Sequence, residues 1–235
     1  MYNPSHFQEK DLGTLHDLIT RHPLAALVTL ASDGINASHI PLLHDLSTGP
    51  LGTLRGHVAK ANPQWRDLAP AVRALAIFTG PQHYISPSWY PAKAEHGKVV
   101  PTWNYVVVHA HGPMRVIEDR EWLRNNVREL TAAQEASFDN PWRIEDAPAG
   151  YIDGLLSAIV GIEMTVEKLE GKWKASQNRA AADRLGVVTG LRGLHTPEGG
   201  EMAEVVSAAS KRLAWEKQEA GTATSGAGIR IRIPE

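Results

Sequence analysis

The feature that most constrains this chain is the way its β-like runs are joined. Leu24 to Ala31 (LAALVTLA) and Ile35 to Leu43 (INASHIPLL) are apolar, β-prone runs separated only by the polar turn Ser32-Asp33-Gly34. Parallel neighbours need a long crossover, so these two runs form an antiparallel hairpin. A turn-rich stretch, DLSTGPLG (Asp45 to Gly52), leads into TLRGHVAK, and after Asn62-Pro63 a short helical piece precedes ALAIFTG (Ala74 to Gly80). A Rossmann sheet would require helices between successive strands and a Gly-rich first turn, and the sequence has neither.

From Pro81 to Val100 the chain carries Pro81, Pro87, Pro91 and Gly97, with Pro101 directly after. Proline lacks an amide donor, so this stretch reads as a long loop and not as a central strand. WNYVVVHAHG (Trp103 to Gly112) resumes as a strand, with Trp103, Tyr105, Val107 and His109 on one face and Asn104, Val106 and Val108 on the other. Upstream, Phe7 to His22 sets Leu12, Leu15 and Ile19 on one helical face, ended by Pro23. In the second half, Asp119 to Ser137 reads as a helix capped by Asp119, PAGYIDGLLSAIVG as a shorter one, and NRAAADRLGVVTGL as another. IEMTVEKLEGKWKAS (Ile162 to Ser176) reads as one strand with Ile162, Met164 and Val166 facing inward. Met202, Val205, Val206, Ala209 and Leu213 mark a last helix before the Gly/Ser/Ala-rich tail.

The expected fold is α+β with a mainly β core: about six antiparallel strands in a closed or partly closed barrel, with peripheral helices. The expected organisation is one domain over 1–195, a C-terminal helix over 196–220 and a flexible tail over 221–235. At 235 residues a sizeable core is available. The 24 Lys and Arg against 26 Asp and Glu leave a net charge of −2, without the basic surplus typical of duplex-DNA binders. The absence of cysteine excludes disulfides, thiolate metal sites and a thiol nucleophile. The N-terminus lacks a secretory pattern and no apolar run approaches the roughly 20 residues of a membrane span, so a cytoplasmic protein is expected. There is no P-loop, G-x-S-x-G or H-E-x-x-H.

Chemistry concentrates in YISPSWY (Tyr84 to Tyr90) and VPTWNYVVVHAHG (Val100 to Gly112), which combine two Trp and three Tyr with hydroxyl and amide donors. A planar heteroaromatic ligand uses that mixture, stacking on the rings and hydrogen bonding along its edge. A barrel end plugged by aromatic side chains accounts for the same composition. His109 and His111 point to one side of their strand, but no third ligand stands at a recognisable spacing, so they read as hydrogen-bonded strand histidines and no metal site is assigned.

YISPSWY followed by VPTWNYVVVHAHG, preceded by GHVAKANPQW (Gly56 to Trp65) and followed by KASQNR (Lys174 to Arg179), resembles the FMN-binding negative transcriptional regulator family, the PaiB-like proteins. The resemblance runs to about Leu191; Ala175 stands where a larger apolar residue is usual, and nothing beyond Thr196 matches. It implies the split-barrel fold of pyridoxamine phosphate oxidases and flavin reductases, and a homodimer with FMN at the interface. Within it, the GHVAKANP stretch, with His57, would hold the ribityl phosphate. Lys60 supplies a positive charge, Asn62 an amide donor, and the short helix opened by Asn62-Pro63-Gln64 adds amides that favour an anion. Arg55 and His57 share a strand face opposite Lys60 unless a bulge intervenes, which favours Lys60 and Asn62 over Arg55. Ser86, Ser88 and Trp89 would approach the flavin's edge, Thr102, Trp103 and Asn104 would begin the lining strand, and Gln177 and Asn178 would supply a polar pair. Turn capping by the serines and helix capping by Asn178 are the plain alternatives. Tyr90, Tyr105 and His109 are the nearby titratable groups, and none is assigned a catalytic role. The resemblance also implies transcriptional regulation. A DNA-associated repressor is the competing function, although no helix-turn-helix is evident and KRLAWEKQ (Lys211 to Gln218) is balanced by Glu216 and Glu219. A pocket for another planar ligand such as haem is the third reading.

Overall fold

The structure is a computed structural model that describes residues 1–32, 34–66, 73–148 and 150–225. Its strands, in chain order, are β1 (Gln8–Glu9), β2 (Leu24–Ala31), β3 (Gly34–Pro41), β4 (Leu43–Asp45), β5 (Thr53–Ala59), β6 (Ala74–Ile85), β7 (Thr102–Gly112), β8 (Met114–Ile117), β9 (Ile159–Thr165) and β10 (Lys168–Lys174). The helices are α1 (Leu12–Arg21), α2 (Ala92–His96), α3 (Arg120–Glu135), α4 (Tyr151–Leu156), α5 (Ala181–Arg192) and α6 (Pro197–Ser225). The strands form a six-stranded sheet in the order β1-β10-β7-β6-β2-β3 and a four-stranded sheet in the order β4-β5-β9-β8. The fold is the expected α+β split barrel with a large antiparallel sheet and peripheral helices.

All six expected runs are strands, and the β2–β3 hairpin pairs from Leu24↔Pro41 to Ala31↔Gly34. Three short strands (β1, β4 and β8) carried too little pattern to be seen. The single strand expected over Ile162 to Ser176 is two, in different sheets. Ile162, Met164 and Val166 are all buried as the period predicted, but the break falls at Val166-Glu167, which has no Gly or Pro to announce it.

The loop expected from Pro81 instead begins as strand: β6 continues through Pro81 to Ile85 inside the larger sheet. Its register with β2 removes the demand for that amide from one of the two neighbouring strands. Ala26 faces Ile77, so β2 runs out before Pro81 is reached, and the missing amide has no β2 partner to disappoint. The first helix is shorter than predicted, because Gln8–Glu9 pair with Lys172 and Gly171 of β10 and Asp11 caps α1 through a 2.8 Å bond from the Thr14 amide.

The chain divides into two compact units, one of Met1–Tyr2, Gln8–Gly80 and Val107–Lys172, the other of Asn3–Phe7, Pro81–Val106 and the chain from Trp173 onward. In the first unit α3, capped by Asp119 as expected, packs on β5 and β9. Glycine at 161 leaves room there for the Trp122 ring, which an added Cβ would meet at 2.4 Å. In the second unit α5 and α6 share a core of Val187, Val188, Leu191, Met202, Ala203 and Val206 with Ile85, Tyr90 and Ala175. The C-terminal helix is thus part of that core. It extends to Ser225, and the remainder of the tail expected over 221–235 lies outside the described residues.

Candidate functional site

The residues singled out by sequence fall into two groups, one in each unit. In the first unit, the Lys60 amide donates to the Ala158 carbonyl at 2.8 Å, continuing the β5–β9 register that ends at Ala59↔Ile159. No bulge intervenes, so alternation puts Lys60 on the face opposite Arg55 and His57. Arg55 reaches Glu129 of α3 at 2.6 Å, and His57 pairs across the strands with Gly161, where Trp122 sits. His57 therefore belongs to the sheet surface under α3. Burial pushes its imidazole pKa down, and its Nδ1 has no hydrogen-bond partner among the described residues.

After Lys60 the chain is tied into a clasp. The Lys60 carbonyl accepts from Trp65 Nε1 at 3.1 Å and from Arg66 at 3.0 Å. Asn62 caps the turn that follows, accepting from the Gln64 amide at 2.9 Å, and donates to Ser38 Oγ at 3.0 Å. The buried Gln64 anchors the loop to β2 through the Leu27 carbonyl and Thr29 Oγ1. The Gln64 amide expected to favour an anion is thus taken up by Asn62 itself. Asn62 positions the loop, which carries the positive charges of Lys60 and Arg66.

The second group gathers where β7 begins and β10 ends. Asn104 is fully buried and donates from Nδ2 to Ser176 Oγ at 2.9 Å, while its Oδ1 meets no donor among the described residues. Thr102 Oγ1 accepts from Lys174 Nζ at 2.7 Å. Gln177 folds back on its own strand end, accepting from the Ala175 amide at 2.7 Å and donating to the Trp173 carbonyl at 2.5 Å. Ser176 holds φ 62, a left-handed turn that keeps these groups together. Asn178 is exposed and does not cap α5, whose cap is Ala180. Trp103 is 48% exposed, donates to Gln82 Oε1 at 3.2 Å and meets Tyr84 edge-on with ring centres 6.3 Å apart.

Ser86 caps a 3-10 turn over Pro87–Trp89 by accepting from the Ser88 amide, and Ser88 Oγ accepts from Lys93 Nζ at 3.1 Å. Trp89 is held against α5: an added Cβ at Gly190 would lie 2.3 Å from its ring, and one at Gly186 would lie 2.0 Å from its carbonyl oxygen. Tyr90 is buried under the Arg179 guanidinium, 4.8 Å from its ring centre, and burial raises its phenol pKa. Sequence reading missed Lys174, Ser176, Gly186 and Gly190. The first two stood inside KASQNR. The glycines, one helical turn apart, were the available signal for a close approach to α5.

His109 and His111 lie on β7, and the third donor that local spacing did not supply comes from across the sheet: Glu170 of β10, whose Oε2 is 3.0 Å from His111 Nε2. Burial and the nearby N-terminal ammonium and His111 lower the His109 pKa against the pull of Glu170.

In fold the chain is of the split-barrel class. A solved structure described as the FAD and heme binding protein from Mycobacterium smegmatis superposes with a TM-score of 0.54 at 18% identity, covering 75% of this chain and 78% of that one. The conserved hypothetical protein Rv2991 from Mycobacterium tuberculosis gives 0.51 at 11% identity, covering 76% and 92%. The sequence family described as "Putative FMN-binding domain" matches residues 1–168. An uncharacterised protein of Emericella nidulans is 36% identical over 241 residues, and the Protease synthase and sporulation protein PAI 2 of Bacillus subtilis is 30% identical over 206. Each alignment covers 88% of this chain and 96% of the relative. The chain belongs to this PaiB-like FMN-binding family.

Proposed function

We propose that this protein is an FMN-binding flavoprotein that works as a homodimer. The observation that carries the reading is Asn104: a buried amide, fixed by Ser176, whose carbonyl oxygen has no donor among the described residues. A buried acceptor left open costs stability, and an N–H on a flavin's ring edge has the chemistry to satisfy it. Thr102, Lys174 and Gln177 beside it add polar groups of both senses, and Trp103 with Tyr84 offers exposed aromatic surface. Lys60 is assigned to the phosphate, with Asn62 and Gln64 holding its loop. Trp89, Ser86 and Ser88 act through the turn they build, and His57 supports α3.

When bound, the flavin supplies electron transfer, and the protein's part is to bind and orient it. The description of the matching family as a putative FMN-binding domain supports FMN as the flavin. Exposed Leu24, Leu30 and Ile35 on the β2–β3 hairpin, at the edge of the larger sheet, support a second copy as partner. Fluorescence titration with FMN and with riboflavin tests the phosphate assignment. Lys60→Ala weakens FMN by about tenfold or more and leaves riboflavin nearly unchanged, since it removes a charge-assisted contact worth ~1.5–3 kcal/mol. Equal losses for the two ligands remove Lys60 from the phosphate site.

A further inference from the structure

We propose that His109, His111 and Glu170 form a binding site for a borderline divalent transition-metal ion such as Zn2+, separate from the flavin reading. The two imidazoles stand at i and i+2 on β7, facing away from the buried Val106, Val108 and Ala110, and Glu170 stands on the neighbouring β10. One donor atom from each side chain lies within 4.8 Å of the other two. Zinc holds its nitrogen and oxygen ligands at about 2.0–2.2 Å, so the trio encloses an ion after side-chain shifts of order one ångström.

The donor set suits this class of ion. Two imidazoles and one carboxylate are preferred by zinc, nickel, copper and ferrous iron, whereas calcium and magnesium take oxygen ligands. Three protein ligands on two strands leave a coordination position open to water. Two cations now share the carboxylate: Lys168 Nζ is 3.2 Å from Oε1, and the N-terminal ammonium is 3.2 Å from Oε2. A divalent ion replaces their charge, and Lys168, 61% exposed, is free to swing into solvent.

The test is a Zn2+ titration of the full chain, stripped with chelator and desalted, against a chromogenic zinc indicator. One site per chain with micromolar or tighter affinity is expected. Glu170→Gln keeps the shape and the contact to His111 but loses the charge, and His109→Gln loses a nitrogen; each weakens binding at least tenfold. His39→Gln, an exposed histidine on β3, leaves it unchanged. Zinc X-ray absorption on the wild-type protein is independent of how the variants fold, and two imidazole nitrogens are expected. No binding at one hundred micromolar, equal loss in His39→Gln, retention in both site variants, or a shell without two imidazoles overturns the proposal.

Discussion

The seat of Trp89 on α5 can be tested through the sign of a glycine-to-alanine change. In an exposed helix interior, Gly→Ala stabilises by ~0.8–1.0 kcal/mol through helix propensity. At Gly186 the new Cβ falls 2.0 Å from the Trp89 carbonyl oxygen and 3.2 Å from Pro91 Cδ. Ordinary contacts between carbon atoms lie near 3.5–4.0 Å, so the turn over Pro87–Trp89 has to retreat by more than about 1 Å. The obstacle is backbone, and rotamer change cannot relieve it. Overpacking of this kind costs about 1–3 kcal/mol, and at the upper end it leaves a net loss of about 2 kcal/mol after the propensity gain. In a chain of 235 residues that lowers the melting temperature by ~4–8 °C. Gly200 in α6 is the control, because an added Cβ there meets nothing within 4 Å. Gly200→Ala raises the melting temperature by a few degrees, up to ~1 kcal/mol. Melts followed by circular dichroism, with FMN titration of the same samples, read both effects, and Gly186→Ala also weakens FMN by displacing Ser86 and Ser88. A Gly186→Ala protein that melts at or above wild type with unchanged FMN affinity refutes the packing argument.

Burial lowers the pKa of both His44 and His57, so between pH 6.5 and their folded values the unfolded chain binds protons that the folded chain does not. Stability is therefore full above pH 6.5 and falls on acidification, by at most about 1.4 kcal/mol per pH unit for each histidine. His57→Gln flattens that slope in melts from pH 7 to pH 5, and an unchanged slope contradicts it. Light scattering gives twice the chain mass at working concentrations; a monomer throughout contradicts the dimer. Tight sequence-selective DNA binding is not expected, because the basic side chains of α3 are spent: Arg124 pairs with Asp153, and Arg128 reaches Glu145 at 2.9 Å. A salt-resistant nanomolar shift of one promoter fragment over scrambled competitor overturns this.

What was legible in the sequence was whatever has a short-range signature. The β2–β3 hairpin, the Asp119 cap and the inward set of Ile162, Met164 and Val166 follow from turn chemistry and period alone. Pro81 misled because proline's cost depends on whether a neighbouring strand needs its amide, and β2 had already ended. The candidate site was legible as a set of segments and not as a set of contacts. Lys60 was separated from His57 by strand alternation, but the Asn104–Ser176 bond and the arrival of Glu170 beside His111 join residues 72 and 59 positions apart. Local pattern carries no information about such pairings. The roles of Gly186 and Gly190 likewise emerge only when Trp89 lies over them.

The central claim is that this protein is an FMN-binding flavoprotein. Mass spectrometry of the small molecule released by denaturing protein saturated in an equimolar mixture of FMN, FAD, riboflavin and haem, then freed of excess ligand, tests it most directly. The account predicts FMN, at about one per chain, with riboflavin a minor component because it lacks the phosphate that Lys60 engages. Recovery of haem or FAD in place of FMN, or of no ligand at all, contradicts it.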